Sequence, residues 1–358
     1  MSATKRQYAQ ITGSETLGLI GVVLGMPLAQ GWRLLRKPFN SSDRVRTWRR
    51  VKAEAGVGFA VSVLNAHQLQ FVDGPTQKVY EKWAPTAGLK PDIEAIAEDA
   101  QLLWVTPRKR KSVLVYLHGG GYVLPAIPFS MTFWKKVTDL LNDKGGEASL
   151  AILEYSLVPK AEYPVPLKQT IAAVKHLIDA GYLPEDIHLV GDSAGAALIL
   201  QVLSHILHPI QGVTELTLSS KLGGAILISP WVTLDTNSRS FTSNATTDIF
   251  PPSFYGHLAS FIKPSIPESQ KPYVEAVKAP EGWFKGVDGI VSRVFITVGD
   301  AECLRDDIDK FARDFTAVHK GADVVNIPGG THNEPYGTVI AGDPDIGEWP
   351  SRFADWLV

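Results

Sequence analysis

The stretch His188–Leu200, HLVGDSAGAALIL, holds a serine flanked at two residues on each side by glycine: Gly191-Asp192-Ser193-Ala194-Gly195. An apolar run precedes it and a helix of small residues follows, so Ser193 falls on a sharp strand-to-helix turn. A Cβ at either flanking position would crowd that turn. The turn exposes the hydroxyl and sets it at a helix N-terminus, where developing negative charge is favoured. This is the setting of a nucleophile. An ordinary N-cap serine would not need glycine on both sides.

A nucleophile that attacks a carbonyl needs donors for the oxyanion and a base for its proton. Tyr116–Tyr122, YLHGGGY, puts three glycines directly after a strand, which suits a loop whose N–H groups approach the carbonyl oxygen closely. The Ala194 N–H, next to the nucleophile, should join them. His118 reads as an anchor of this loop and not as a base. His332, in PGGTHNEPYG after the strand at 324–327, is placed to reach Ser193 over the carboxyl edge of a sheet. His205 and His208 point away from the elbow, and the remaining histidines lie in helical or strand patterns. The third member should lie between Ser193 and His332 in the chain. Asp300, Glu302, Asp306 and Asp307 all follow the strand at 293–298. Asp306 and Asp307 belong to a first helical turn, which leaves Asp300 and Glu302, and the residue chemistry alone does not separate these two.

Alternation of strands and helices supplies the frame. After residue 98, apolar strands near 100–106, 113–118, 148–155, 187–191, 224–229, 293–298 and 322–327 alternate with helices near 129–142, 166–180, 194–207, 304–319 and 347–357. That pattern implies an α/β fold, a mostly parallel sheet covered by helices on both faces. The basic turn at Arg108–Lys111 reads as a solvated hairpin connection. The chain divides near residue 95 into a helical cap segment (1–95) and a catalytic domain (96–358). The segment 231–289 is too long for an ordinary connection and reads as a lid insertion.

Composition excludes several classes. The 358 residues are 45% hydrophobic and 20% charged, which fits a large packed core and excludes a disordered chain. A net charge of −2 gives no general attraction to nucleic acid. The single cysteine, Cys303, excludes an internal disulfide and a cysteine-based zinc site, and the 9 histidines form no HExxH pair. No metal and no organic cofactor is expected.

No clear secretory signal is evident, and a cytoplasmic protein is expected. The run Thr16–Trp32 is free of charge but holds four glycines and Pro27, too short and too interrupted to span a bilayer. Eight Lys or Arg residues and one acid follow between Arg33 and Lys52. Two readings compete: a cap helix packed on the body, or a peripheral contact of residues 16–52 with a membrane surface.

Four motifs in order resemble the hormone-sensitive-lipase-like branch of the α/β-hydrolase fold, a carboxylesterase branch: His118-Gly119-Gly120-Gly121, Tyr155-Ser156-Leu157-Val158-Pro159, Gly191-Asp192-Ser193-Ala194-Gly195 and Ser229-Pro230-Trp231. The resemblance covers residue 95 to the end, with the preceding helices similar to the family's cap. It implies ester hydrolysis by Ser193 and His332. It places the acid at Glu302, which opens Glu302-Cys303-Leu304-Arg305-Asp306 where the family has aspartate. It makes Gly120 and Gly121, with Ala194, the oxyanion donors. A small-molecule ester is the expected partner, held in a pocket with Tyr122, Trp231, Phe250 and Tyr255 as lining aromatics. Esterase, lactonase and deacetylase chemistry all fit. The rival readings are a non-catalytic ligand receptor on the same scaffold and a membrane-surface protein in which esterase chemistry is secondary.

Overall fold

The computed structural model describes residues 7–108 and 111–358. Eight strands form one sheet: β1 (Asp92–Ala95), β2 (Gln101–Trp104), β3 (Ser112–Leu117), β4 (Ala148–Glu154), β5 (Ile187–Asp192), β6 (Gly224–Ile228), β7 (Val294–Gly299) and β8 (Ala322–Ile327). Their order is β1-β2-β4-β3-β5-β6-β7-β8, with β1–β2 and β2–β4 antiparallel and the rest parallel. Successive side chains of β3 alternate between two cores: Val113, Val115 and Leu117 face one, Leu114 and Tyr116 the other. Both faces are buried, which is why the inner strands read as continuous apolar runs.

Helices cover both faces. Ten carry the argument: α1 (Gly13–Arg36), α2 (Trp48–Val63), α3 (Ala66–Asp73), α4 (Thr76–Thr86), α5 (Pro128–Asp143), α6 (Val165–Asp179), α7 (Ala194–Leu207), α8 (Pro252–Ile262), α9 (Arg305–Val318) and α10 (Trp349–Leu357). Helix α7 follows Ser193 and is buried from Ala194 to His205, so it is apolar nearly all round.

Two expectations need correction. The basic turn does not close a hairpin, because β4 lies between β2 and β3; its Lys109 and Arg110 lie outside the described residues. The sheet begins at Asp92, ahead of residue 96, with a four-residue antiparallel strand too short and too charged to show periodicity. The cap holds a break at Leu64–Asn65, where the Asn65 side chain accepts the Gln68 N–H and starts α3. A second break falls at Gly74, whose φ of +80° only glycine adopts easily, followed by Pro75.

A further correction concerns α1. It runs unbroken for 24 residues through Pro27 and is long enough to cross a hydrocarbon core. Glycines cost a helix about 1 kcal/mol each, but two of them make the packing. The Phe59 ring of α2 lies over Gly25, where a Cβ would sit 2.7 Å from it, and Gln68 of α3 lies over Gly18. Val22 is buried between them. Apolar packing offsets the propensity cost.

The cap is tied down by charge. Glu54 is 1% exposed and accepts from Arg33 (3.1 Å), Arg46 (3.0 Å) and Arg50 (2.6 Å). Asp43 pairs with Arg33 and Arg46. Arg50 also holds Glu334, beside His332, through both oxygens at 2.5 Å. Breaking a buried network strands its remaining charges, so Glu54→Ala should lower the unfolding free energy by about 3–5 kcal/mol. Lys175→Ala, which removes the exposed pair with Asp179, should change it by less than about 1 kcal/mol. Urea melts of the two variants check the contrast. Equal effects would mean the cap network adds nothing to stability.

Candidate active site

Ser193 sits between β5 and α7 with φ +51° and ψ −116°, a left-handed backbone rarely adopted by a residue with a side chain. Close packing enforces it. A Cβ at Gly191 would lie 2.8 Å from the Leu117 carbonyl oxygen, and one at Gly195 would overlap that same oxygen. The elbow is therefore pressed against the end of β3 and needs glycine on both sides. The Ser193 N–H donates to Ile228 and its carbonyl accepts from Trp231.

The loop after β3 carries positive φ at Gly120 (+104°), Gly121 (+62°) and Tyr122 (+59°). The Gly119 N–H donates to the Asp192 carboxyl at 3.2 Å. The Gly120 and Gly121 N–H groups have no acceptor among the described residues and line a cavity of about 490 Å³ together with Ser193 and His332. The side chain of His118 is buried. Its ring stacks on Tyr155 at 4.4 Å and its Nδ1 meets the Gly119 carbonyl at 2.7 Å. Burial lowers its pKa to about 4, so it is neutral and anchors the loop.

After β7, one of the two candidate acids meets His332 and the other does not. The Glu302 carboxyl lies 2.9 Å from His332 Nδ1, and both side chains are almost fully buried. The other Glu302 oxygen accepts the Gly299 N–H at 2.9 Å, and the Ser229 hydroxyl also bonds this carboxyl. Asp300 turns elsewhere and accepts the Gly329 N–H at 2.6 Å. Burial pushes the Glu302 carboxyl up to about 8, against the pull of Gly299 and Ser229. Burial likewise lowers His332, with Asp248 and Asp192 opposing. Either charge alone is costly there, but at 2.9 Å an imidazolium and a carboxylate would form as a pair. No hydrogen bond joins Ser193 to His332 among the described residues; such bonds often tighten only around substrate.

Of the expected lining aromatics, Trp231, Phe250 and Tyr255 line the cavity. Tyr122 is a correction. Its left-handed backbone turns the ring inward, where the hydroxyl accepts from Gln201 of α7 at 2.8 Å and the ring stacks on Trp231. Leu19, Val22, Val23 and Met26 of α1 complete an apolar wall.

Sequence reasoning missed two buried carboxyls. Asp192 accepts from the Tyr116 and Tyr336 hydroxyls at 2.6 and 3.2 Å, and from Asn333 Nδ2 at 3.1 Å. It lies inside the elbow motif, so its signal was visible without its role. Asp248, in the 231–289 insertion, accepts the His332 N–H at 2.9 Å, the Cys303 N–H at 2.8 Å and the Tyr255 hydroxyl at 3.1 Å. It fastens the insertion to both loops that carry Glu302 and His332. With Asp248 and His332 84 positions apart in the chain, no local pattern could reveal it.

Residues 114–335 match the α/β hydrolase fold family, and the chain belongs to it. It is similar to an acetyl-hydrolase of Streptomyces hygroscopicus, 32% identical over 150 residues that cover 41% of this chain and 45% of that protein. It is also similar to the carboxylesterase/phospholipase LipF of Mycobacterium tuberculosis, 29% identical over 224 residues, 62% of this chain and 55% of that one. The chain thus spans about half the length of these curated relatives. A solved esterase of the bacterial hormone-sensitive lipase family shares the fold with a TM-score of 0.62, at 20% identity, over 97% of this chain and 98% of its own.

A base must be neutral to take a proton. Burial weakens proton binding at His332 relative to the ordinary 6.5, so its neutral form persists as pH falls below that value. The acid limb of kcat/KM for a short ester should therefore have its midpoint below 6.5. A pH–rate profile checks this. A midpoint near 8 would instead make the ionisation of Glu302 the controlling step.

Proposed function

We propose that the protein is a serine hydrolase of carboxylic esters. The observation that carries the reading is the buried Glu302–His332 contact at 2.9 Å beside a cavity shared with Ser193 and with the unpaired N–H groups of Gly120 and Gly121.

Ser193 Oγ attacks the ester carbonyl carbon while His332 Nε2 takes its proton. Glu302 accepts the Nδ1–H of His332, holds the ring in the tautomer that leaves Nε2 free, and stabilises the imidazolium. The carbonyl oxygen becomes an oxyanion and receives the N–H groups of Gly120, Gly121 and Ala194, each worth about 10²–10³ in rate. The imidazolium protonates the departing alkoxide, which leaves as the alcohol. Water, deprotonated by His332, then attacks the acyl-enzyme; the Ser193–acyl bond breaks, Ser193 Oγ takes the proton back from His332, and the acid is released.

The cavity walls are largely apolar, from α1, Trp231, Phe250, Tyr255 and Leu258, with Asp73 of α3 the charged residue that the N-terminal helices add to the lining. Such walls favour an apolar acyl or alcohol group of small to medium size. The relatives named as an acetyl-hydrolase and a carboxylesterase support esters as the substrate class. The receptor reading fits less well, because a receptor has no use for a strained nucleophile and a buried acid–histidine pair in the same cavity.

A fluorophosphonate probe should label Ser193, and Ser193→Ala should abolish both labelling and turnover of p-nitrophenyl esters while the fold survives. Unlabelled wild-type protein with no ester turnover would favour the receptor. Glu302→Gln should lower kcat by up to about 10⁴-fold. Asp300→Asn should cost far less, since its carboxyl bonds the Gly329 backbone and not His332. Steady-state kinetics at saturating ester compare the two. The opposite ranking would move the acid to Asp300.

A further inference from the structure

The outer face of α1 is apolar from end to end. Leu17, Ile20, Leu24, Leu28 and Leu35 are 51–77% exposed. Steps of three, four and seven residues align them in one stripe on a helix. Past the helix end, Phe39 and Trp48 are 84% and 58% exposed, and Trp32 on α1 is 63% exposed. A contiguous apolar surface of this length marks a contact site.

Its charge is one-sided. No acid occurs between Thr16 and Ser42. The acids that follow, Asp43 and Glu54, are buried and spent on Arg33, Arg46 and Arg50. Arg36, Arg44, Arg49 and Lys52 are exposed and form no ion pair among the described residues. The Arg36 guanidinium lies 5.4 Å over the Trp32 ring, and Lys37 Nζ lies 5.0 Å over Trp48. Tryptophan beside arginine and lysine, at the end of a leucine stripe, is the composition of a bilayer–water interface.

We propose that this face docks on an anionic lipid bilayer, with α1 lying in the plane of the interface. The stripe enters the acyl boundary, and the four unpaired cations meet lipid phosphate and carboxylate groups. A second copy of the chain is a poorer occupant, because it would set cations against cations. A spanning arrangement is poorer too. Leu19, Val22 and Met26 on the inner face of α1 line the Ser193 cavity, and pulling the helix into the bilayer would strip that wall away.

The docking orients the cavity. Val23 and Val72 line it while being 71% and 60% exposed, so it reaches the surface beside the stripe. An ester dissolved in the bilayer would then enter towards Ser193 without crossing water. This last step rests on the esterase reading; the docking does not.

The test uses the full chain and flotation with phosphatidylcholine vesicles, with and without phosphatidylserine. Wild type should float with the anionic vesicles and far less with neutral ones. Arg36→Glu combined with Arg49→Glu should weaken anionic binding by on the order of 25-fold or more, at about fivefold per basic residue removed. Leu24→Asp combined with Leu28→Asp should abolish flotation. Both variants should keep the wild-type melting temperature and full turnover of a short soluble ester, while the leucine variant loses turnover of a medium-chain ester carried in the vesicles. Absence of flotation by wild type, or flotation undiminished in the leucine variant, overturns the proposal. So does wild type that resists carbonate extraction, which means a spanning helix, or a dimer that the leucine variant splits, which means a self-interface. Failure of every form on the soluble ester would sink the esterase reading and leave the flotation result standing.

Discussion

The contact between Glu302 and His332 is the constraint around which the site is arranged. A carboxyl and an imidazole both sit out of water, 2.9 Å apart. In that setting a lone charge is penalised more heavily than a carboxylate–imidazolium pair. The contact requires two separate loops, after β7 and after β8, to hold their places. Much of the nearby structure serves that need. Gly299 and Ser229 bond the carboxyl. Asp248 holds the backbone of both loops. Phe250 and Tyr255 pack on the ring.

The elbow imposes a second constraint, steric where the first is electrostatic. Ser193 keeps its left-handed backbone because Gly191 and Gly195 let α7 press against the end of β3. Asp192 then converts that contact into a positional lock. Its carboxyl takes donors from β3, from the glycine loop and from the segment after His332. By occupying the Gly119 N–H it leaves those of Gly120 and Gly121 facing the cavity.

The N-terminal segment is bound to the same system. Arg50 reaches Glu334, and Glu334 in turn accepts the Thr331 N–H next to His332. Helix α1 supplies the apolar wall on its inner side and an apolar surface on its outer side. One helix thus shapes the cavity and defines how the molecule meets its surroundings.

Much of this was legible in the chain alone. The strand–helix alternation fixed the sheet and most of its elements because buried parallel strands and amphipathic helices have distinct periods. Ser193, His332 and the glycine loop were legible because each depends on local backbone geometry that particular residue types satisfy. What the sequence hid was non-local. Residue chemistry left Asp300 and Glu302 equivalent, since both follow the same strand, and only the family resemblance favoured Glu302; in the fold that carboxyl is turned to His332 and the other to Gly329. Asp248 had no local signature. Pro27 and the glycines of α1 argued locally against a long helix, and packing against Phe59 and Gln68 overrode them. Tyr122 was placed in the pocket by type, but its backbone dihedral sent it into the core. The sequence determined what depends on neighbours in the chain, and tertiary structure decided what depends on neighbours in space, because contact energies between distant residues exceed the roughly 1 kcal/mol of a local preference.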